Sequence, residues 1–264
     1  MVKIHKKSFI SWIGGKSRLA GKIIPLFCEH KYYCEPFAGG AWMLFKKEPS
    51  KAEIINDINI ELVTLYRVVK HHMIEFVRYF QYLLVARDEF ERFKEANPAT
   101  LTDIQRAVRF YYLIKTSHGA RLQGQTFGVS TTGYPRLNLL RLEEEMTAAY
   151  LRLQRVTIEN LRYDAFIKRY DRPHTLFYLD PPYFDCEDYY GKGIFSKADF
   201  STLAELLGKI EGKFLLSINN TPEIREIFRG FEQREVTTSY SVCGGGKQKQ
   251  VTELVFSNYK LPTD

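Results

Sequence analysis

Cysteine is scarce in this 264-residue chain, and what there is does not pair. Cys28, Cys34, Cys186 and Cys243 show no short repeated spacing. That pattern excludes a zinc ribbon or a disulfide framework and fits a reducing, cytosolic setting. No metal is expected. No run approaches the roughly 18 apolar residues of a membrane-spanning helix. The opening Met1-Val-Lys-Ile-His-Lys-Lys7 lacks the apolar stretch of a signal peptide, so no membrane partner is expected. Repeats and low-complexity tracts are also missing. Acidic residues fall short of basic ones, 31 against 38, for a net charge of +7. An excess of this sign favours a polyanionic partner without naming it. Between Lys115 and Arg141 acids vanish, while four Lys or Arg and one His remain. Gly119, Gly124, Gly128 and Gly133 make this stretch a loop or hairpin. It suits phosphate and base-edge contact, or simply a solvated surface. A phosphate-binding P-loop is missing too. Trp12-Ile-Gly-Gly-Lys-Ser17 ends like one, but Ile10 stands where that motif needs its first glycine.

What is present centres on Asp180-Pro-Pro-Tyr183. It follows the apolar run Thr175-Leu-Phe-Tyr-Leu179, which reads as a buried strand. A carboxylate at the carboxyl end of a strand lies where open α/β sheets bind ligands. Pro181 and Pro182 remove two backbone donors and stiffen the turn. The Pro181 carbonyl is then free to accept a hydrogen bond beside Asp180, and Tyr183 adds a flat face. Two acceptors and a stacking surface suit an exocyclic amino group on a planar ring. The competing reading is a turn with an exposed Asp.

Three further segments have the same character. Trp12, two glycines and Lys16 stand just before a short helix expected over Ser17–Phe27. Glu35-Pro-Phe-Ala-Gly-Gly-Ala41 follows the strand Tyr32–Pro36, and its glycines allow close backbone approach to a ligand. Asp57 closes the strand Glu53–Asn56, 18 residues after Gly39, near the spacing at which an acid grips ribose hydroxyls. From Asn59 the pattern turns helical: Leu62, Leu65, Val69, Met73, Phe76 and Phe80 recur along a long segment. Further helices are expected over Asp103–Lys115 and about Leu140–Arg155. Strands return at Val156–Ile158, Leu176–Leu179 and Phe214–Ile218. A closing hairpin follows, Glu235–Val242 and Val251–Ser257, around Gly244–Gly246.

Taken in order, these segments resemble the Dam-like DNA adenine-N6 methyltransferases, including their phage and prophage forms, over nearly the whole chain. Trp12 and Lys16 are similar to that family's Trp/Tyr-x-Gly-x-Lys segment. Phe37, Gly39 and Gly40 resemble its Phe-x-Gly-Gly turn, Asp57 its ribose-binding acid, and Asp180–Tyr183 its catalytic tetrapeptide. Gly191–Phe200 resembles the loop that follows, and Thr252–Tyr259 the closing strand. Ala41 departs from the pattern, standing where a third small residue is often glycine. Gly124–Pro135 follows the family's recognition hairpin only loosely. Its Phe127-Gly128 resembles a Phe-Gly cofactor contact.

The resemblance implies a Rossmann-like α/β S-adenosylmethionine-dependent methyltransferase fold with an inserted, mainly helical target-recognition domain. The expected division is 1–58 and 156–264 for the catalytic domain and 59–155 for the insert. It implies S-adenosylmethionine as methyl donor, held by Trp12, Lys16, Phe37, Gly39, Gly40, Asp57, Asp164 and Asp180. Catalysis falls to Asp180, Pro181, Pro182 and Tyr183. The partner is double-stranded DNA, contacted by Arg121, Arg136, Lys247 and Lys249, at GATC or a relaxed related site. Tyr189, Tyr190 and Phe195 are candidates to close over a flipped base. A monomer or weak dimer is expected. The rival readings are the same chemistry on cytosine N4, RNA adenine or a protein glutamine, a nucleotide-binding NTPase, and a DNA-binding protein without activity. Those other amino-group enzymes commonly show Ser or Asn in place of Asp180.

Overall fold

Apolar runs bounded by turn residues form the strands of an open sheet. The computed structural model describes residues 7–12, 14–129, 137–186, 193–241 and 248–262, with backbone alone for 238–241 and 248–251. The parallel strands are β1 (Tyr32–Glu35), β2 (Ala52–Asn56), β3 (Val156–Glu159), β4 (Thr175–Leu179) and β5 (Lys213–Asn219). A long antiparallel hairpin, β6 (Glu232–Ser241) and β7 (Gln248–Ser257), completes the sheet. Among the described residues the order is β3-β2-β1-β4-β5-β7-β6, with β7 antiparallel to β5. β4 is buried at every position, as a strand covered on both faces must be. The chain runs outward from β1 to β3 and then returns to β4 on the other side of β1. The switch point of the sheet is therefore the carboxyl end of β1 and β4.

The helices are placed by their caps and breakers. The helix expected over Ser17–Phe27 shortens to α1 (Ala20–Ile23), because Pro25 turns the chain into a 3-10 coil. α2 (Trp42–Lys46) follows β1. Between β2 and β3 come α3 (Ile60–His71), α4 (Met73–Phe80), α5 (Arg87–Glu95), α6 (Asp103–Thr116) and α7 (Leu139–Leu153). Asn59 caps α3 by accepting from the backbone of Glu61 and Leu62. The long apolar repeat after Asn59 breaks at His72 (φ −135°, ψ 34°), so it forms two helices and not one. Thr102 and Gln105 form a capping box at α6. α8 (Tyr163–Tyr170), α9 (Lys197–Leu207) and α10 (Pro222–Ile227) pack on the face of the sheet opposite the helical block.

Two cores result. On one face Phe76, Tyr111 and Tyr66 from the helical block join Tyr33, Leu44 and Leu176 in one contiguous cluster. On the other, Phe166, Phe200 and Phe228 pack on Phe177, Leu179 and Phe214. A buried ionic cluster ties the block to the sheet. Glu53 on β2 accepts from Lys47 Nζ at 2.5 Å and, through both its oxygens, from Arg152 of α7 at 2.5 and 2.9 Å. Arg152 also donates to the Leu44 carbonyl at 2.8 Å.

Candidate active site

The turn after β1 is built for close approach. Gly39 has φ +48°, and a Cβ there would lie 2.6 Å from Trp12 Nε1. A Cβ at Gly40 would lie 3.1 Å from both Trp12 Cβ and Trp42 Nε1. Ala41 takes the left-handed conformation that its glycine counterpart would adopt freely (φ 46°) and leads into α2. Asp57 holds this turn. Its Oδ2 accepts from the Gly39 N–H and its Oδ1 from the Asn59 N–H, each at 2.9 Å. Burial raises the Asp57 pKa against these backbone donors. Asn56 clips the neighbouring loops together: its side chain donates to the Pro36 and Leu161 carbonyls and accepts from the Leu161 N–H.

Asp180 sits across the switch point, at the end of β4. Lys16, almost wholly buried, reaches it. Its Nζ lies 3.2 Å from Asp180 Oδ1, 2.6 Å from Glu253 Oε2 and 2.6 Å from the Tyr183 hydroxyl. Tyr183 in turn donates to Glu253 Oε1. Burial alone would lower the Lys16 pKa, but the charges of Asp180 and Glu253 raise it above its ordinary value. Asp180 is pushed up to about 7. Burial drives it up, the Lys16 ammonium pulls it back, and the Glu253 charge adds to the rise. The turn after Tyr183 is fixed by Asn219 at the end of β5, which accepts from the Phe184 N–H at 2.9 Å and donates to its carbonyl at 3.1 Å.

Between these groups lies a cavity of about 320 Å³, the size of a small-molecule pocket. Trp12, Lys16, Phe37, Gly39, Gly40, Asp57, Asp180 and Pro182 all line it. Tyr183 stands behind Asp180, on Lys16. Phe37 stacks on Tyr163 at 5.4 Å, and Phe195 meets Phe37 edge-on at 5.8 Å. Asp164 does not line the cavity; it pairs with Arg162 at 3.0 Å. Phe127 is likewise elsewhere, packed on Phe90 and beneath Arg87. Arg121 is exposed in the loop after α6. Arg136, Lys247, Tyr189 and Tyr190 lie outside the described residues, and Lys249 is described by its backbone alone.

Sequence reasoning gives no role of their own to Glu35, Glu253, Tyr163, Asn56 and Asn219, although Glu35, Asn56 and Glu253 stand inside segments it singles out. Glu35 lines the cavity floor, and its pKa is raised to about 8. Burial is the cause, opposed by donors from Tyr33 and Leu44 and by the charge of Lys47. A lone acid inside an apolar strand was the available signal for both Glu35 and Glu253. Among the described residues no cluster of three or more His, Cys, Asp or Glu is placed to hold a metal ion. Among them, no helix is long and apolar enough to cross a membrane.

A family model described as D12 class N6 adenine-specific DNA methyltransferase matches residues 12–242. The chain belongs to that family. It is therefore a transferase, an adenine-specific DNA methyltransferase, and its sheet is the Rossmann-like fold of S-adenosylmethionine-dependent methyltransferases. Similar full-length proteins include the type II methyltransferase M.CviBI of Paramecium bursaria Chlorella virus NC1A, 27% identical, covering 96% of this chain and 100% of the relative. The type II methyltransferase M.MjaIII of Methanocaldococcus jannaschii is 27% identical, covering 96% and 99%. The DNA adenine methylase of Escherichia coli is 26% identical, covering 94% of each.

Proposed function

We propose that the cavity binds S-adenosylmethionine and that Asp180 and the Pro181 carbonyl accept the two N6 hydrogens of an adenine turned out of duplex DNA. The observation that carries this reading is the placement of Asp180, paired with Lys16, on the wall of a glycine-floored cavity that Asp57 also lines. The residues fit the cofactor. The Gly39–Gly40 turn leaves room that a Cβ would fill. Each Asp57 oxygen keeps acceptor capacity for a ribose hydroxyl beyond its backbone donor. Phe37, Tyr163 and Phe195 offer an aromatic wall for a purine. When bound, S-adenosylmethionine supplies an electrophilic methyl carbon on a sulfonium sulfur.

The protein supplies position and charge. Adenine N6 is a poor nucleophile because its lone pair delocalises into the ring. Two acceptors drawing its N–H bonds favour a pyramidal nitrogen whose lone pair faces the methyl carbon. Lys16 occupies Asp180 Oδ1, which leaves Oδ2 for the substrate. N6 gains a carbon and becomes cationic, so it must lose a proton. A carboxylate with proton affinity raised to about 7 is suited to accept it. Unstacking the base costs a few kcal/mol, offset by contacts in the site.

The helical block after β2 is proposed as the DNA-reading part, with Arg121 and Arg136 as contacts. We place Lys247 and Lys249 on phosphates. In support, β5 stops pairing with β7 at Asn219–Glu253, whereas β6 and β7 stay paired to Ser241–Gln248. The ribbon thus overhangs the sheet edge that carries Asp180. GATC, or a relaxed related site, is the proposed target, and the cytoplasm of a bacterial or phage-infected cell the proposed setting. The test is methyl transfer from labelled S-adenosylmethionine to duplexes with and without adenine, followed by mapping of methylated bases. Label in cytosine, RNA or protein and none in DNA adenine would overturn the reading.

A further inference from the structure

We propose that Glu253 is a positioning residue of this site: from β7, it holds Lys16 and Tyr183 behind Asp180 and so sets the charge that Asp180 presents to its substrate. The inference rests on the reading of Asp180 as the N6 acceptor. Glu253 is fully buried and lies on a different strand from every residue of the Asp-Pro-Pro-Tyr turn. A buried carboxylate is costly unless paired. This one is paired through both oxygens, one taking the Lys16 ammonium and the other the Tyr183 hydroxyl. The register that puts Glu253 opposite Asn219 fixes its height at the end of β5. The same Asn219 clamps Phe184, so one strand end locates both the turn and the acid behind it.

The arrangement divides one ammonium between two carboxylates. Glu253 takes the shorter contact, 2.6 Å against 3.2 Å for Asp180. Lys16 therefore neutralises Asp180 only in part. The titratable groups that act on Asp180 are Lys16 from the N-terminal segment and Glu253 from β7; Asp180 in turn raises Glu35 on β1 and Tyr178 on β4, and Tyr183 lies beside it on Lys16. Among the described residues only Lys16 lowers its proton affinity, and Glu253 opposes that effect. Neutralising Glu253 releases Lys16 to Asp180 and removes a repelling charge. Neutralising Lys16 does the reverse.

The experiment is the pH dependence of kcat for methyl transfer to an adenine-containing duplex, in the full chain and in Glu253→Gln, Glu253→Asp and Lys16→Met. The acidic limb should move to lower pH by about one unit in Glu253→Gln and to higher pH in Lys16→Met, the usual scale for one neighbouring charge. Glu253→Asp keeps the charge but withdraws it by a methylene. It should leave the limb in place and lower kcat by about tenfold or more through misplacement, with the KM for S-adenosylmethionine within about twofold of the parent. Should Glu253→Gln fail to fold, as judged by thermal melting, Glu253→Asp and Lys16→Met carry the test. A merely structural Glu253 lowers melting temperature and leaves the limb unmoved, which overturns the proposal, as does Glu253→Asp with the parent's kcat. Absence of transfer by the parent itself would instead sink the functional reading.

Discussion

Asp180 is held by opposing forces. Burial and Glu253 favour its acid form, while Lys16 favours the carboxylate. If the carboxylate is the working form, kcat/KM should fall about tenfold per pH unit below about 7, the pKa to which this site raises the residue. Asp180→Ala should lower kcat by at least about a hundredfold, the scale for losing a positioned charge at a reacting centre. Its affinity for S-adenosylmethionine in calorimetry should change far less. Near-parental turnover would remove Asp180 from the chemistry. Glu35 shares the same physics: burial favours its acid form and the Lys47 charge opposes it. Its pKa is raised from 4.5 to about 8, so its stability contribution is complete below pH 4.5 and is lost as pH rises through about 8. Glu35→Gln cannot ionise. Relative to the parent it should be more stable at pH 9 than at pH 4, read by chemical denaturation at both. A pH-independent difference would show that Glu35 is not held protonated.

The turn after β1 concentrates strain in a few residues. Gly39→Ala places a Cβ 2.6 Å from the Trp12 indole at φ +48°. It should cost roughly 1–2 kcal/mol for the left-handed backbone alone and weaken S-adenosylmethionine binding by tenfold or more; unchanged affinity in calorimetry would show that the turn yields freely. Such a turn is legible in sequence because Gly-Gly after a strand has few other uses. The strands were legible too, since Thr175–Leu179 and Phe214–Ile218 are apolar runs with polar ends. α5 escaped because only Phe90 of its nine residues is buried, too little to mark a period. The helical run after Asn59 looked continuous because its apolar spacing survives the break at His72. Glu253 was hardest to read. Its meaning depends on what lies opposite it, and no spacing along the chain states that Lys16, 237 residues away, will be there.

The whole molecule stands on a core that ignores the order of its segments. Helices α3 to α7 enter between two adjacent strands, yet their aromatic side chains share one buried cluster with residues of β1 and β4. Arg152 is the polar counterpart of that cluster. Arg152→Ala leaves Glu53 with Lys47 and the Ser50 N–H and removes the donor to the Leu44 carbonyl. It should cost about 3 kcal/mol in urea unfolding, as for other broken buried pairs. A loss below 1 kcal/mol would mean that Lys47 suffices. At the surface the expectation is different. Arg121→Ala should leave the melting temperature and cofactor affinity unchanged and weaken DNA binding, reducing the salt slope by about one if it meets a phosphate. Equal binding across a salt titration would place the DNA face elsewhere. The shared core also limits how this architecture can diversify. A block that merely hung from the strand ends could be exchanged between relatives like a cartridge. Here, excision would open a buried cluster that the helices and the sheet share. On the proposed reading of this block as the DNA-reading part, new target preferences arise by substitution on the outer faces of the helices and loops, one contact at a time, while their inner faces stay fixed.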